Sequence, residues 1–272
     1  RFEFMFAMRS TKTSTKTSTK IIVLTGAFVL ASLSAQATVI VSQLDGVPEG
    51  WSGSVSAAFE EAVATTEKRS YDASFSLRHK NNNQEWRSFG SLAYGEVNDV
   101  EDEDEQLLHL RHVQHNIFGD GGGADWRWET FIQTEVDDFA GLGYRNLLGA
   151  GLSRLRTRDN GWRVLTLLGV MREMEDHSSD ASQNRRETRA SVSLQGQYTS
   201  PYGWTLDAVS YWQPNANGEA PDRRVTAELA LSFPLSKKLT FTSGYSYSYN
   251  GVPFAGVPRE NRKVTSGFKF KF

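Results

Sequence analysis

The stretch Lys263-Val-Thr-Ser-Gly-Phe-Lys-Phe-Lys-Phe272 decides the fold class. Val264, Phe268, Phe270 and Phe272 alternate with Lys263, Thr265, Lys269 and Lys271. A strand repeats its faces every two residues, so one face here is apolar and aromatic and the other cationic. A soluble sheet seldom gives its last strand such a pattern. Taken alone, the stretch also suits an edge strand with its apolar side on a core, and the rest of the chain has to choose between the two.

The chain has 272 residues and no cysteine, with a mean hydropathy of −0.47. Beyond the amino-terminal region there is no run of about 20 apolar residues, which excludes a bundle of membrane-crossing helices. A formal charge of −2 gives no basic excess to hold nucleic acid. Without cysteine there is neither a disulfide framework nor thiolate chemistry. Low hydropathy with 12% aromatic residues is what a membrane barrel gives, because only alternate residues meet lipid. Composition by itself describes a soluble β protein equally well.

Arg1 to Phe4 precede any methionine and read as upstream residues, with Met5 or Met8 as the start. A low-complexity basic segment, Arg9 to Lys20, leads into the apolar run Ile21 to Leu33 and the small-residue site Ala35-Gln36-Ala37. Together these predict a secretory signal cleaved after residue 37 rather than a membrane anchor. Residues 1–37 hold five basic and one acidic side chain, so their removal takes the net charge from −2 to −6. Residues 38–50 read as a short periplasmic lead-in, and residues 51–272 as one transmembrane domain.

From Trp51 onward the period is two. Twelve strands are predicted: 51–62, 69–80, 85–97, 106–118, 126–137, 142–157, 162–173, 186–199, 204–214, 223–234, 238–250 and 262–272. Short turn-like connections (Asn81 to Asn83, Gly119 to Gly123, Asp159 to Gly161, Ser200 to Gly203, Ser236 to Lys238) alternate with longer polar ones (Asn98 to Glu105, Glu173 to Asn184, Pro214 to Asp222, Asn250 to Asn261). Short periplasmic turns and longer external loops are the asymmetry of an all-β, antiparallel, up-and-down transmembrane barrel of outer-membrane type. Leu206, Ala208, Val225, Ala227, Leu229, Leu231, Phe233, Leu239 and Phe241 then face lipid. Asp207, Arg224, Thr226, Glu228, Ser232, Thr240 and Thr242 face inward, as do Gly143, Arg145, Gly149, Gly151 and Ser153.

Trp86, Trp126, Trp162 and Trp204 each follow a short turn by a few residues, and Trp51 opens the first strand. All five belong at one height, as a periplasmic aromatic girdle at the headgroup level that indole prefers. Trp212, Tyr247 and Tyr249 suit the opposite girdle. The ending Thr265, Gly267, Phe270, Phe272 resembles the signal read by the outer-membrane barrel assembly machinery. The expected partners are therefore that machinery and periplasmic chaperones during biogenesis, then outer-membrane lipid and lipopolysaccharide.

Phe131-Ile-Gln-Thr-Glu-Val-Asp-Asp-Phe139, followed by Leu142-Gly-Tyr-Arg-Asn-Leu-Leu-Gly-Ala-Gly-Leu152, resembles the family of salt-induced outer-membrane proteins, domain of unknown function 481. Trp51-Ser-Gly-Ser54 also fits. The family often turns at a Gly-Asn after its first strand, where this chain has Ala62-Val-Ala-Thr-Thr-Glu67. The resemblance implies an outer-membrane barrel, a link to salt or osmotic stress, and no established reaction.

Glu129, Glu135, Asp137 and Arg145 fall on the inner faces of two adjacent predicted strands. A guanidinium among carboxylates forms charge-assisted hydrogen bonds, giving either a salt-bridged plug or a constriction that orients a solute. Glu101, Asp102, Glu103, Asp104 and Glu105 are expected on an external loop, where oxygen ligands suit a divalent cation or simply a solvated acidic loop. His109, His112 and His115 do not converge on a metal, since His112 takes the opposite strand face. Asp176-His177, beside Glu173 and Glu175, is the one candidate for a rim hydrolase. The expectation is a non-enzymatic barrel without cofactor, either a narrow passage for small solutes or a structural envelope protein. A rim hydrolase and an adhesion surface built on the acidic loops are the alternatives.

Overall fold

The computed structural model describes residues 44, 49–63, 67–119, 124–218, 222–236 and 239–270. Among them are twelve strands: β1 (Gly50–Val63), β2 (Glu67–Asn81), β3 (Gln84–Val97), β4 (Val100–Gln114), β5 (Ala124–Asp137), β6 (Leu142–Thr157), β7 (Trp162–His177), β8 (Arg185–Thr199), β9 (Thr205–Pro214), β10 (Arg223–Pro234), β11 (Leu239–Asn250) and β12 (Glu260–Phe270). Each pairs with its successor in one antiparallel meander. No β12–β1 ladder occurs among the described residues, and these two strands are the most open of the sheet.

The faces of the strands make the sheet a barrel. In β7, Leu165, Leu167, Met171, Glu173 and Glu175 are buried, while Leu168 and Val170 are exposed. Across the molecule Glu85, Arg87, Arg111, Glu129, Arg145, Arg189 and Arg224 are buried, and Val55, Phe59, Ile132, Leu148, Leu194 and Val264 are bare. Each such apolar side chain left in water forgoes about 1.5–3 kcal/mol of burial, so the outer surface is built for hydrocarbon. Arg224 of β10 reaches Glu173 and Glu175 of β7 across the interior. The sheet therefore curls around a charged lumen. The fold is an up-and-down β-barrel of outer-membrane type.

Connections at the two ends differ from the expected asymmetry in three places. The acidic segment is not a loop, because Asn98 and Asp99 both take positive φ (52° and 60°) and close a two-residue hairpin. Short polar side chains tolerate that conformation, and Asn98 Oδ1 accepts from the Glu67 N–H at 2.9 Å. Glu101 to Glu105 thus lie within β4. The ladder there shifts register, pairing Glu96 with Glu101 and Gly95 with Glu103, so Asp102 is the extra residue of a bulge. The second difference is that β7 runs on to His177 and carries Glu173 and Glu175 into the lumen, leaving only 178–184 as loop. The third is that β4 ends at Gln114, so its connection to β5 occupies 115–123 instead of 119–123; residues 120–123 lie outside the described ones.

On β6 the ladder steps from Leu142–His177 to Tyr144–Asp176. Gly143 is bypassed by this bulge, and Leu142, not Gly143, turns inward. The rows expected to face lipid on the later strands keep one register, in which Leu229, Tyr245 and Val264 stand side by side.

Candidate functional site: a charge-filled lumen

Strand parity delivers the lumen residues, and register decides which of them meet. At the end with the longer loops, Arg145 on β6 holds Glu135 at 3.0 Å, Glu175 at 2.7 Å and Glu173 at 3.6 Å. Arg224 holds the same Glu173 and Glu175 at 3.0 and 2.6 Å. Arg189 pairs with Glu173 at 2.5 Å and Asp222 at 2.8 Å. Three guanidiniums thus face four carboxylates, and Arg189 and Glu173 are each only 1% exposed.

The expected cluster of Glu129, Glu135, Asp137 and Arg145 is brought together only in part. All four are buried on the inner face, but only Glu135 meets Arg145. Glu129 accepts from Arg111 Nη1 at 3.0 Å and from the Ser153 hydroxyl. Asp137 caps the one-turn segment Asp138–Ala140, its Oδ1 accepting from the Ala140 N–H at 2.9 Å. Glu173, Glu175, Arg189 and Arg224 complete the network. Their inward parity along β7, β8 and β10 was the signal for them, and assigning 173–184 to a loop hid the two glutamates.

At the end with the short turns a second network forms. Arg87 donates to Glu85 at 2.5 and 2.9 Å, and Arg127 Nε donates to Asp125 Oδ2 at 2.5 Å. His115 lies between the two pairs, with Nε2 3.0 Å from Glu85 and Nδ1 2.9 Å from Asp125. Both ring nitrogens face carboxylates, so both are donors. Burial opposes the charged ring, but the hydrogen bonds to Asp125 and Glu85 outweigh it and hold the His115 pKa above its ordinary value. Leu44 is buried here against Leu155 and Leu165.

The opposite mouth is covered by the connection between β11 and β12. Phe254 packs on Ala140, Leu142 and Val257 and meets the His177 ring edge-on at 4.8 Å. Arg185 lies 5.0 Å over the Phe254 ring and donates to the Val252 and Pro253 carbonyls. His177 Nδ1 accepts from the Ser179 and Asp180 N–H groups at 3.1 and 3.0 Å, while Asp176 pairs with Arg186 at 2.5 Å. Asp176 and His177 therefore serve different partners and do not orient one another as a hydrolytic pair needs.

Around the outside at the short-turn end, Trp51, His79, Trp86 and His112 lie side by side in register. Their rings meet at 4.5 Å (Trp51–His79) and 4.6 Å (Trp86–His112). The band continues through Trp126 under Arg154 and through Trp162, Tyr198, Trp204 and Phe233. The histidines in it were not expected. His109 is instead buried in the lumen beside Gln133, so the three histidines of β4 and its end stand apart. Among the described residues no group of three or more His, Asp or Glu is gathered as a metal site. Thr265 and Gly267 pair with Gly244 and Thr242. Phe270 pairs through its backbone with Leu239, whereas Phe272 lies outside the described residues, as do residues 1–37 and, apart from Leu44, Glu49 and Gly50, the lead-in.

The family described as "Protein of unknown function, DUF481" matches residues 55–272. The chain belongs to the DUF481 family. Among curated proteins no match was found. Solved structures similar to this DUF481 chain include the translocator domain of autotransporter NalP from Neisseria meningitidis, at 14% identity and a TM-score of 0.41, covering 84% of this chain and 91% of that one. The beta domain of the Bordetella autotransporter BrkA is 15% identical with a TM-score of 0.33, covering 82% and 98%. Within the DUF481 barrel, residues 131–152 supply Phe131, Gln133, Glu135, Arg145 and Gly149 to the lumen. A Cβ at Gly149 would fall 2.4 Å from the Phe131 ring, so glycine there lets the ring lie across the interior, stacked on His109 at 5.7 Å.

Proposed function

We propose that this DUF481 chain is a non-enzymatic barrel of a Gram-negative outer membrane that serves as a structural envelope protein with a filled lumen, in preference to an open solute passage. One observation carries the reading. Gln133, Gln195 and Gln213, on β5, β8 and β9, are each 2% exposed, which a water-filled channel along these strands does not allow. Salt-bridged layers lie beyond them at both ends, and the Phe254 connection covers one mouth. Residues 1–37 act as the cleaved export signal, and lipid, lipopolysaccharide and the barrel assembly machinery are the partners. A role under salt or osmotic stress enters through the family resemblance alone. The separate partners of Asp176 and His177 favour a non-enzymatic role over a rim hydrolase.

Planar-bilayer recording of the purified barrel tests this. The expected result is no steady conductance of porin size. Large, persistent openings in the unmodified protein would sink the filled-lumen reading.

A further inference from the structure

Arg154, Arg156 and Arg158 recur at period two where β6 runs into the turn before β7. Their neighbours Ser153 and Leu155 are buried, so Arg154 and Arg156 stand on the outer face. Arg154 lies directly opposite Trp126 of β5 and Thr166 of β7, and Arg156 lies opposite Val164. Trp162 precedes Val164 by two residues and shares that face. Two steps along a strand set Arg154 and Arg156 about 7 Å apart, close enough for both guanidiniums to grip one anion between them.

The lumenal arginines Arg145, Arg189 and Arg224 are each held by carboxylates. These outer ones are not. Among the described residues no carboxylate pairs with Arg154, Arg156 or Arg158, and Asp159 in the turn itself is exposed. Arg154 lies with its Cζ 5.0 Å over the Trp126 ring, and Phe118 meets that ring edge-on at 5.8 Å. Arg154 Nε is buried without a hydrogen-bond partner. The aromatic contact thus positions the guanidinium without neutralising it, and Arg156 stands exposed beside it. Indole at this end marks the headgroup level, where a long cationic side chain reaches polar headgroups while its stem stays against apolar surface.

We infer that Arg154, Arg156 and Arg158, beside Trp126 and Trp162, form a binding site for the headgroup phosphate of an anionic phospholipid in the periplasmic leaflet. The inference rests on the outer-membrane reading, which sets the short turns on the periplasmic side. Planar guanidinium forks match phosphate oxygens with paired N–H donors. The turn that carries the arginines offers one carboxylate, Asp159, against three guanidiniums, so the site selects a net negative headgroup over a zwitterionic one. Trp128, Leu152 and Leu168 form the next outward row away from the turn and supply the apolar surface against which the acyl chains lie.

The test is native mass spectrometry of the full folded barrel released from detergent micelles, titrated with phosphatidylglycerol, with phosphatidylcholine of equal chain length, or with sodium phosphate. The expected result is saturable phosphatidylglycerol binding, tighter than that of phosphatidylcholine, and no saturable binding of inorganic phosphate. Arg154→Gln and Arg156→Gln should each weaken phosphatidylglycerol binding about fivefold, the worth of one arginine beside anionic lipid. Arg172→Gln removes an exposed outward charge near the other end of β7 and should bind as the parent does. Should Arg154→Gln fail to fold, the exposed Arg156→Gln carries the comparison. The site is overturned if the two lipids bind alike, if inorganic phosphate binds as well as the lipid, if the folded Arg154 and Arg156 variants match the parent, or if Arg172→Gln loses as much as they do. A barrel that stays dissolved without detergent and takes up neither lipid would defeat the outer-membrane reading itself, and this site with it.

Discussion

Replacing Arg145 with methionine probes whether the lumen is dry. The side chain is 3% exposed and holds Glu135, Glu175 and Glu173 at 3.0, 2.7 and 3.6 Å. Methionine keeps much of the length and removes the charge, leaving four carboxylates (Glu135, Glu173, Glu175 and Asp222) to share Arg189 and Arg224. Breaking a buried ion pair by removing one partner costs about 3–5 kcal/mol, because the orphaned charge stays out of water. Arg145→Lys should fall between methionine and the parent, since an ammonium restores the charge but not the planar fork. Adding Glu135→Gln to Arg145→Met should return part of the loss, because it removes one orphan. Urea unfolding in micelles, followed by tryptophan fluorescence and extrapolated linearly, gives the free energies. A loss within about 0.5 kcal/mol, the range of an ordinary surface substitution, would mean that water solvates these carboxylates and that the lumen is open.

Phe254→Ala removes the ring that ties the β11–β12 connection to Ala140, Leu142 and His177; residues 251–259 should become the first site of protease nicking while the barrel survives, and an unchanged cleavage pattern would contradict the latch. The pKa of His115 is raised in the folded state, so its stabilising contribution is fully present below the unfolded imidazole value of about 6.5 and is lost as pH rises through the higher folded value. Unfolding free energy should accordingly fall over that rise in the parent, and His115→Gln should flatten the fall; equal slopes in the two proteins would rule the linkage out. Asn98→Val places a β-branched residue at φ 52° and should cost about 1–2 kcal/mol, with Asn98→Gly near neutral. If both were silent in unfolding experiments, the hairpin joining β3 and β4 would be a loose loop after all.

Strand number, barrel class and most of the face assignment were legible because one constraint, apolar outward at period two, repeats along the strands, even where β7 also turns Leu165, Leu167 and Met171 inward. Trp51, Trp86, Trp126, Trp162 and Trp204 were legible for the same reason, as each is tied to a turn a few residues away. What escaped depends on register. Glu129 and Arg145 share a face, yet the ladder sets Glu129 opposite Gly151 and Glu135 opposite Arg145, so only Glu135 reaches the guanidinium. The acidic block hid its strand because five carboxylates in a row read as solvated, and composition outweighed parity. A subtler signal was present in Glu85-Trp86-Arg87, Asp125-Trp126-Arg127 and His109-Leu110-Arg111. In each, two charged or titratable groups flank one large apolar residue, which on a strand puts a polar pair in the lumen and the apolar side chain on the lipid side.

That motif bears on why the interior is ionic when an apolar filling would avoid desolvation. With hydrocarbon outside and an apolar core inside, the two faces of a strand would be nearly equivalent, and a slip of one residue would cost little. Face preference is what fixes register in a sheet. Charges inside abolish the equivalence, because a one-residue slip would drive Glu173, Glu175, Arg189 and Arg224 into lipid. Their burial is tolerable only where every charge has a partner, and one set of partners here joins strands that are not neighbours. Arg224 ties β10 to β7, and Arg145 on β6 grips the same two glutamates from the other side. Curling the sheet and satisfying the charges are one event, so the network stabilises the barrel only once the strands stand in their native order.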